Sequence, residues 1–298
     1  MLASNLSNLS NLSNLSNLSN FLCPSPSDAT IPTIVINMAG RYDRWSRLMT
    51  SAAACGLRDM KIRRWSGHNV TAEPYLVTRA IANGWTVRPS RPYNRGFVGA
   101  ALSHIAVWSE LTSPLLRDTD AVLILEDDVN LTPLSMCGVR WALEATGRRF
   151  DVINMCALRP CCEQFRPDLG LVRLPHPYEL REPYVPNVWG SSYVLTVRGA
   201  RRLMVGLRRG HYDLSVVQID RLIVKVLARS TQASMYAVVD QRYFGHIESD
   251  SDVRALGGDW RPRTRRAMVN HQRKNRRRHL SARSWGIGNR RGAQGPGP

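Results

Sequence analysis

The sequence predicts an α/β fold in which a mostly parallel, Rossmann-like sheet is flanked by helices. Two observations support this prediction. Short β-branched or apolar runs recur along the chain, and amphipathic segments of helical length separate them. The pattern occupies residues 30–255, which we predict to be one domain. Residues 1–29 and 256–298 differ from it in composition, and we predict that both are disordered tails.

The first half of the domain begins with the strand candidate IPTIVIN, residues 31–37, which is short and β-branched. Apolar residues then repeat at helical spacing from Trp45 to Ala52. The further elements predicted in this half are a strand over 60–65, a mostly buried helix over 98–111 and a wholly apolar strand over 121–125.

The second half continues the alternation. FDVINM at 150–155 and MYAVVD at 235–240 are strand candidates, and the amphipathic segments VRGARRLMVGLRR and VVQIDRLIVKVLARS between them predict helices. In a parallel sheet of this kind, ligands bind at the carboxyl ends of the strands. The residues that follow each apolar run are therefore the first candidates for a functional site.

The charge of the chain is uneven. The formal net charge is +18, from 41 Lys and Arg against 23 Asp and Glu, and twelve of the basic residues fall in 261–292, where no acidic residue occurs. Such a run can contact nucleic acid or an anionic surface weakly, or it can remain solvated without a specific partner.

The N-terminal tail repeats Asn-Leu-Ser, which fits neither helix nor strand burial and lacks the regions of a signal peptide. No segment approaches the roughly 20 apolar residues that cross a bilayer, so we predict no transmembrane segment. A cytoplasmic location is expected, in a bacterium or in the host cell of a large DNA virus. The six cysteines lack paired CxxC spacing, and we expect reduced thiols, with a bridge among Cys156, Cys161 and Cys162 as the alternative.

The acidic cluster Glu126, Asp127 and Asp128 directly follows the apolar strand over 121–125. Three carboxylates at the end of a buried strand repel one another and lose hydration, so positive charge is expected among them. Hard oxygen ligands suit Mg²⁺ or Mn²⁺. Because side chains alternate along a strand, we expect Glu126 and Asp128 to face one ion and Asp127 to face away. The alternative is an exposed acidic turn neutralised by arginines.

Four blocks occur in order between Thr33 and Val253: TIVINMAGRYDRW, GFVGAALSHIAVWSEL, LILEDDV, and the group VWGSSYVLTVRGARRLM, QID and DQRYFGHIESDSDV. Together they resemble glycosyltransferase family 25, which includes lipopolysaccharide and collagen galactosyltransferases. Two positions depart from the family pattern. Ala100 stands where the second block usually has Cys, and Met38 stands where the first usually has Leu.

The resemblance implies a GT-A fold and inverting transfer of a hexose, galactose or glucose, from a nucleotide-diphosphate sugar. UDP-hexose is the expected donor, and a glycan or protein hydroxyl is the expected acceptor. A divalent metal ion, expected to be Mn²⁺, would stabilise the charge on the leaving diphosphate. The implied metal ligands are Glu126, Asp128 and His246.

The resemblance also assigns residues to the donor side of the site. The implied donor-binding residues are Asn37, Arg41, Arg44, Ser103, His104 and Asp127. Arginine can fork to diphosphate oxygens or stack on a base. A lone buried histidine is more often a satisfied core group than a catalyst, and its place in the Ser-His pair favours a part in the architecture of the donor site.

On the acceptor side, inversion needs a base that removes the proton of the incoming hydroxyl. Asp220, the lone Asp of the QID block, is the first candidate, and an ion pair with Arg221 or a neighbouring Arg is its structural alternative. The further base candidates are Asp213, Glu248 and Asp250. Trp189 and Tyr193 are candidates for a wall that stacks on a sugar, and core packing is equally compatible with them.

Two other functions remain open. The chain could be a nucleic-acid-binding protein acting through its basic C-terminal tail, although the body does not interleave aromatic and basic residues on a strand pattern. It could also be a catalytically inactive family member that keeps only the fold, and the intact acidic cluster and Asp220 argue against this.

Overall fold

The computed structural model describes residues 31–55, 61–87, 95–155, 164–166, 170–174, 191–215, 217–230, 232–238 and 243–246, with only the backbone described at 164–166 and 245–246. The chain divides into two units, Met1–Gly257 and Gly258–Pro298, and every described residue belongs to the first. The predicted tails and the cluster Cys156, Cys161 and Cys162 lie outside the described residues.

The described part of the chain contains ten strands. They are β1 (Thr33–Met38), β2 (Ile62–Gly67), β3 (Ala121–Glu126), β4 (Val129–Leu131), β5 (Val152–Asn154), β6 (Gln164–Arg166), β7 (Leu171–Arg173), β8 (Ser192–Thr196), β9 (Met235–Val238) and β10 (Phe244–His246). Eight of them form one sheet in the order β2-β1-β3-β8-β5-β9-β7-β6, and β4 and β10 form a separate antiparallel pair.

Six α-helices are described. They are α1 (Tyr42–Ala54), α2 (Tyr75–Ala82), α3 (Arg95–Leu111), α4 (Ser135–Thr146), α5 (Val197–Gly210) and α6 (Ile219–Leu227). Within this part of the chain no helix has both the length and the apolar character needed to cross a membrane.

The sheet is mostly parallel, as predicted, but it is mixed. Strands β2, β1 and β3 are parallel neighbours, and β5 and β9 form a second parallel pair. Strand β8 runs antiparallel between β3 and β5, and β7 runs antiparallel to both β9 and β6. Six of the eight strands therefore share one direction.

Both faces of the sheet are covered, because successive side chains of a strand point to opposite faces. Ile36 and Ile124 pack on one face with residues of α2, α3, α5 and α6. Val35 and Leu125 pack on the other face with residues of α1 and α4. The central strands are buried on both sides, which is why they are nearly continuous apolar runs. The predicted α/β class is confirmed.

The two cysteines that the structure describes differ in their bonding. Cys137, buried in α4, is disulfide-bonded, whereas Cys55, at the end of α1, is a free thiol. The expectation of reduced cysteines therefore does not hold for Cys137.

Candidate active site

A cleft opens at the edge of the sheet where the parallel strands β1, β2 and β3 have their carboxyl ends. Its cavity volume is about 90 Å³, and the cleft is open to solvent. Its polar lining residues are Arg44, His68, Asn69, Thr71, Arg95, Ser103, His104, Glu126, Asp127 and Asp128. The cleft therefore lies where the fold class predicts a ligand site.

Glu126 ends β3 on the side of α3, as the alternation with Ile124 requires. His104 of α3 lies against it, with Nε2 3.1 Å from Glu126 Oε1. The His104 side chain is 1 % exposed and that of Glu126 is 26 % exposed. His104 is thus a buried partner of an accessible carboxylate, and Glu126 is the member of the pair that solvent and ligands reach.

Behind His104 lies a buried aromatic pair. The Nδ1 atom of His104 is 2.7 Å from Tyr193 Oη, and the same Oη accepts a hydrogen bond of 2.9 Å from Trp108 Nε1. Burial raises the pKa of Tyr193 well above its usual range, so its hydroxyl stays protonated. Tyr193 therefore belongs to the core rather than to a wall that stacks on sugar, and Trp189 lies outside the described residues.

Asp127 belongs to the opposite side of the sheet, toward α1. Its Oδ2 accepts a hydrogen bond of 2.6 Å from Asn37 Nδ2, and its Oδ1 accepts one of 2.9 Å from Arg44 Nη1. Burial raises the pKa of Asp127, and these two hydrogen bonds oppose the rise. Its carboxylate is thus engaged by the end of β1 and by α1, and the expectation that it faces away from an ion held by Glu126 and Asp128 stays a prediction. The strand ends at Glu126, and the turn that follows brings Asp127 and Asp128 into the lining.

Asn37 organises the turn after β1. Its Nδ2 also donates to the backbone oxygen of Arg41 at 3.0 Å, and its Oδ1 accepts from Arg64 Nε at 2.7 Å. The Arg64 guanidinium stacks over the Tyr42 ring at 4.7 Å. Both the nitrogen and the oxygen of the Asn37 amide form hydrogen bonds within the protein. Asn37 therefore holds Asp127 in place.

Asp128 is buried and lines the cleft together with Glu126. In the antiparallel pair of β10 and β4, the backbone of His246 lies opposite that of Val129, the residue after Asp128. The backbone of His246 is therefore close to the acidic turn. Among the side chains that the structure describes, which exclude that of His246, no group of three His, Cys, Asp or Glu could hold a metal ion. One or two carboxylates completed by substrate phosphate oxygens are nevertheless an ordinary ligand set for a hard divalent ion. Glu126 and Asp128 fit that set.

Ser103 and Gly99 shape the wall of the cleft. Ser103 Oγ donates to the backbone oxygen of Gly99 at 2.7 Å and accepts from the backbone nitrogen of His68 at 2.8 Å. A Cβ atom at Gly99 would lie 2.6 Å from the His68 backbone oxygen. The small residue and the hydroxyl together let the loop after β2 lie directly on α3.

The expected contact of Arg41 with the donor stays a prediction. Its Nε lies 3.0 Å from Asp43 Oδ1 and its Nη2 lies 2.8 Å from Asp43 Oδ2, on an exposed part of the surface. Arg41 is not among the described lining residues of the cleft.

Asp220 lies in the first turn of α6, outside the described lining of the cleft. Burial raises its pKa to about 6, and the negative charge of Glu126 adds to the rise. The two carboxylates therefore lie within electrostatic range of each other. Arg221 contacts Asp220 through its backbone nitrogen, 2.7 Å from Oδ1.

The other candidates for the catalytic base are Asp213, Glu248 and Asp250. Asp213 Oδ1 accepts hydrogen bonds from the backbone nitrogen and the hydroxyl of Ser215, so its carboxylate stabilises its own turn. Glu248 and Asp250 lie outside the described residues.

Sequence analysis did not identify the loop after β2 or the start of α3. His68, Asn69 and Arg95 line the cleft, and burial lowers the pKa of His68, which favours its neutral form. The rule that drew attention to the ends of β1 and β3 applies equally to β2. Its carboxyl end, at Gly67, was the available signal.

Comparison with known proteins yields structural likeness only. No family model matches the sequence, and no curated protein matches it. Among 51 matching chains of solved structures is glucosyl-3-phosphoglycerate synthase from Mycobacterium tuberculosis in complex with Mn²⁺, uridine-diphosphate and phosphoglyceric acid. The match covers 80 % of this chain and 77 % of that chain, at 17 % sequence identity and a TM-score of 0.36. A likeness this distant carries no argument about the chemistry of this chain.

Proposed function

We propose that this protein is a metal-dependent glycosyltransferase of the GT-A type, similar to glycosyltransferase family 25. It would transfer a hexose from a nucleotide-diphosphate sugar, with UDP-galactose or UDP-glucose as the expected donor, to a glycan or protein hydroxyl. The observation that carries the proposal is the acidic turn Glu126–Asp128 at the carboxyl end of β3, within a cleft that also contains Arg44 and Arg95.

The cleft contains both basic and acidic side chains, and this combination suits a diphosphate bound together with a cation. Arg44 neutralises Asp127 in a buried ion pair, so we assign the metal-ligand role to Glu126 and Asp128, with His246 as the third ligand. A bound divalent ion supplies electrostatic stabilisation of the leaving diphosphate. Arg95, exposed at the start of α3, would contact phosphate oxygens directly.

Asp220 is the proposed base that removes the acceptor proton. A base is most effective when its pKa lies near the working pH while it remains ionised. Burial raises the pKa of Asp220 to about 6, so the carboxylate is ionised at neutral pH and more basic than an exposed Asp. The inversion that the resemblance implies requires such a group on the acceptor side.

Calorimetric binding of UDP, GDP and CMP, with Mn²⁺ or with a chelator, tests the donor half of the proposal. We expect one nucleotide to bind in the presence of Mn²⁺ and this binding to be lost in Asp128→Asn. Asp118→Asn is the matched control, because Asp118 is an exposed carboxylate paired with Arg201 outside the cleft. Failure of all three nucleotides to bind the wild type with Mn²⁺ would refute the proposal.

A further inference from the structure

We propose that Trp108, Tyr193 and His104 form a directed hydrogen-bond chain that positions the carboxylate of Glu126. The inference rests on the proposed function for the role of Glu126, and it makes His104 a positioning residue. Three contacts build the chain: Trp108 Nε1 to Tyr193 Oη at 2.9 Å, Tyr193 Oη to His104 Nδ1 at 2.7 Å, and His104 Nε2 to Glu126 Oε1 at 3.1 Å.

The chain has a direction because its first member can only donate. The indole nitrogen of Trp108 has no acceptor capacity, so Tyr193 Oη must accept from it. Tyr193 has one hydroxyl hydrogen, and among the described residues the remaining polar neighbour of Oη is His104 Nδ1. Donation to Nδ1 leaves the hydrogen of a neutral imidazole on Nε2, where it points at the Glu126 carboxylate.

The chain is also rigid. Trp108 and Tyr193 are completely buried, and His104 is 1 % exposed. The His104 ring stacks on the Tyr193 ring with centroids 5.6 Å apart and an interplanar angle of 29°. Packing therefore fixes the position of the Nε2–H group, and this group in turn fixes Glu126 Oε1. The second carboxylate oxygen of Glu126 is then presented to a ligand from a fixed position.

Substitution by two amides separates positioning from packing. Gln at position 104 can place an amide N–H where His104 has Nε2, and so keep the bond to Glu126. Asn can reproduce only the Nδ1 side, and so keep the bond to Tyr193. If His104 served only to fill the core, the loss of ligand binding in each variant would follow its loss of melting temperature rather than the side on which the amide lies.

The first test measures binding of Mn²⁺ alone by electron paramagnetic resonance, and of UDP with Mn²⁺ by calorimetry, on the full chain. We expect His104→Asn to weaken both by about 10- to 100-fold, the usual effect of removing a group that orients a metal ligand, and His104→Gln to stay near wild type. Melting temperatures of the two variants control for folding. Equal losses in both variants, or a larger loss for Gln, would overturn the proposal.

A second measurement examines the chain without relying on catalysis. Long-range proton–nitrogen NMR correlations of the His104 ring in the metal-free wild type should show the neutral tautomer with hydrogen on Nε2. Hydrogen on Nδ1 would overturn the proposed direction. If the wild type bound neither Mn²⁺ nor UDP, the proposed function and the positioning role would both fail, and the tautomer would still establish whether the chain itself exists.

Discussion

Arg44 and Asp127 form a buried ion pair at the base of the cleft, with Arg44 Nη1 2.9 Å from Asp127 Oδ1. Their side chains are 4 % and 8 % exposed. The pair joins α1 to the turn after β3. Because Arg44 neutralises Asp127, one of three adjacent negative charges no longer adds to the net charge of the cleft. The pair accounts for one of the three consecutive carboxylates at the end of this buried strand.

The first prediction concerns this pair. Arg44→Met should lower the free energy of unfolding by about 3 kcal/mol, because removing one partner leaves a buried charge without compensation. Arg47→Met is the matched control, since Arg47 is an exposed arginine of the same helix. Chemical denaturation measures both, and the double variant Arg44→Met, Asp127→Asn should recover part of the loss. Equal losses for the two single variants would contradict the ion-pair account.

The second prediction concerns stability and pH. Burial raises the pKa of Asp220 from its ordinary value of 3.8 to about 6, so the folded state favours the protonated carboxyl. The resulting stabilisation is full below pH 3.8 and is lost as the pH rises through about 6. The ionised carboxylate is then left in a partly buried position, and Asp220→Asn should be more stable than the wild type by about 2 kcal/mol at pH 8.

That advantage should disappear toward pH 4. Thermal melts of the metal-free protein across this range measure it. Asp43→Asn serves as the control, because the Arg41 hydrogen bond holds the pKa of the exposed Asp43 below its usual range. An advantage of Asp220→Asn that does not change with pH would show that Asp220 titrates normally.

The third prediction concerns catalysis by Asp220. The value of kcat/KM should rise with pH to a plateau, with a midpoint at or below about 6, because the base must be ionised. Asp220→Asn should lower kcat by about 10²- to 10⁴-fold and leave the binding of UDP with Mn²⁺ intact. Asp213→Asn is the comparison, and loss of turnover there with retention in Asp220→Asn would transfer the role of base to Asp213.

The fourth prediction concerns the fit of α3 against the loop after β2. Replacing Gly by Ala inside a helix usually stabilises by about 1 kcal/mol, but a Cβ at Gly99 would lie 2.6 Å from the His68 backbone oxygen. We therefore expect Gly99→Ala to displace the loop, lower the melting temperature and weaken UDP binding. Gly40→Ala is the control, because no atom beyond its two chain neighbours lies within 4 Å of the added Cβ. Unchanged UDP affinity in Gly99→Ala would contradict this account of the cleft wall.

Much of the fold was predictable because the central strands and α3 contain apolar runs that are long enough to indicate a strand or a helix from the sequence alone. The strand predicted over 121–125 is observed as Ala121–Glu126, and the helix predicted over 98–111 as Arg95–Leu111. Helix α2 has only eight residues, Tyr75–Ala82, which is too short for a clear periodic pattern. The reversal of β8 was not predictable, because the pattern of apolar residues does not encode the direction of a strand.

The candidate site, like the fold, was only partly predictable from the sequence. The acidic turn could be located from the sequence, since polar residues directly after an apolar strand lie at its carboxyl end. The residues that contact the carboxylates of this turn could not be predicted. His104 and Tyr193 are 89 positions apart, and Asn37 and Asp127 are 90 apart, so only the folded chain shows that the carboxylates of Glu126 and Asp127 are held from opposite faces of the sheet.

The central claim is sugar transfer that depends on the acidic turn, and its most direct test is nucleotide release from UDP-, GDP- and CMP-sugars. Wild type, Asp128→Asn and Asp118→Asn are compared with Mn²⁺ and with chelator. The account predicts Mn²⁺-dependent release from one donor, lost in Asp128→Asn and retained in Asp118→Asn. Release that persists in Asp128→Asn or in chelator, or no release together with no Mn²⁺-dependent nucleotide binding, would contradict it.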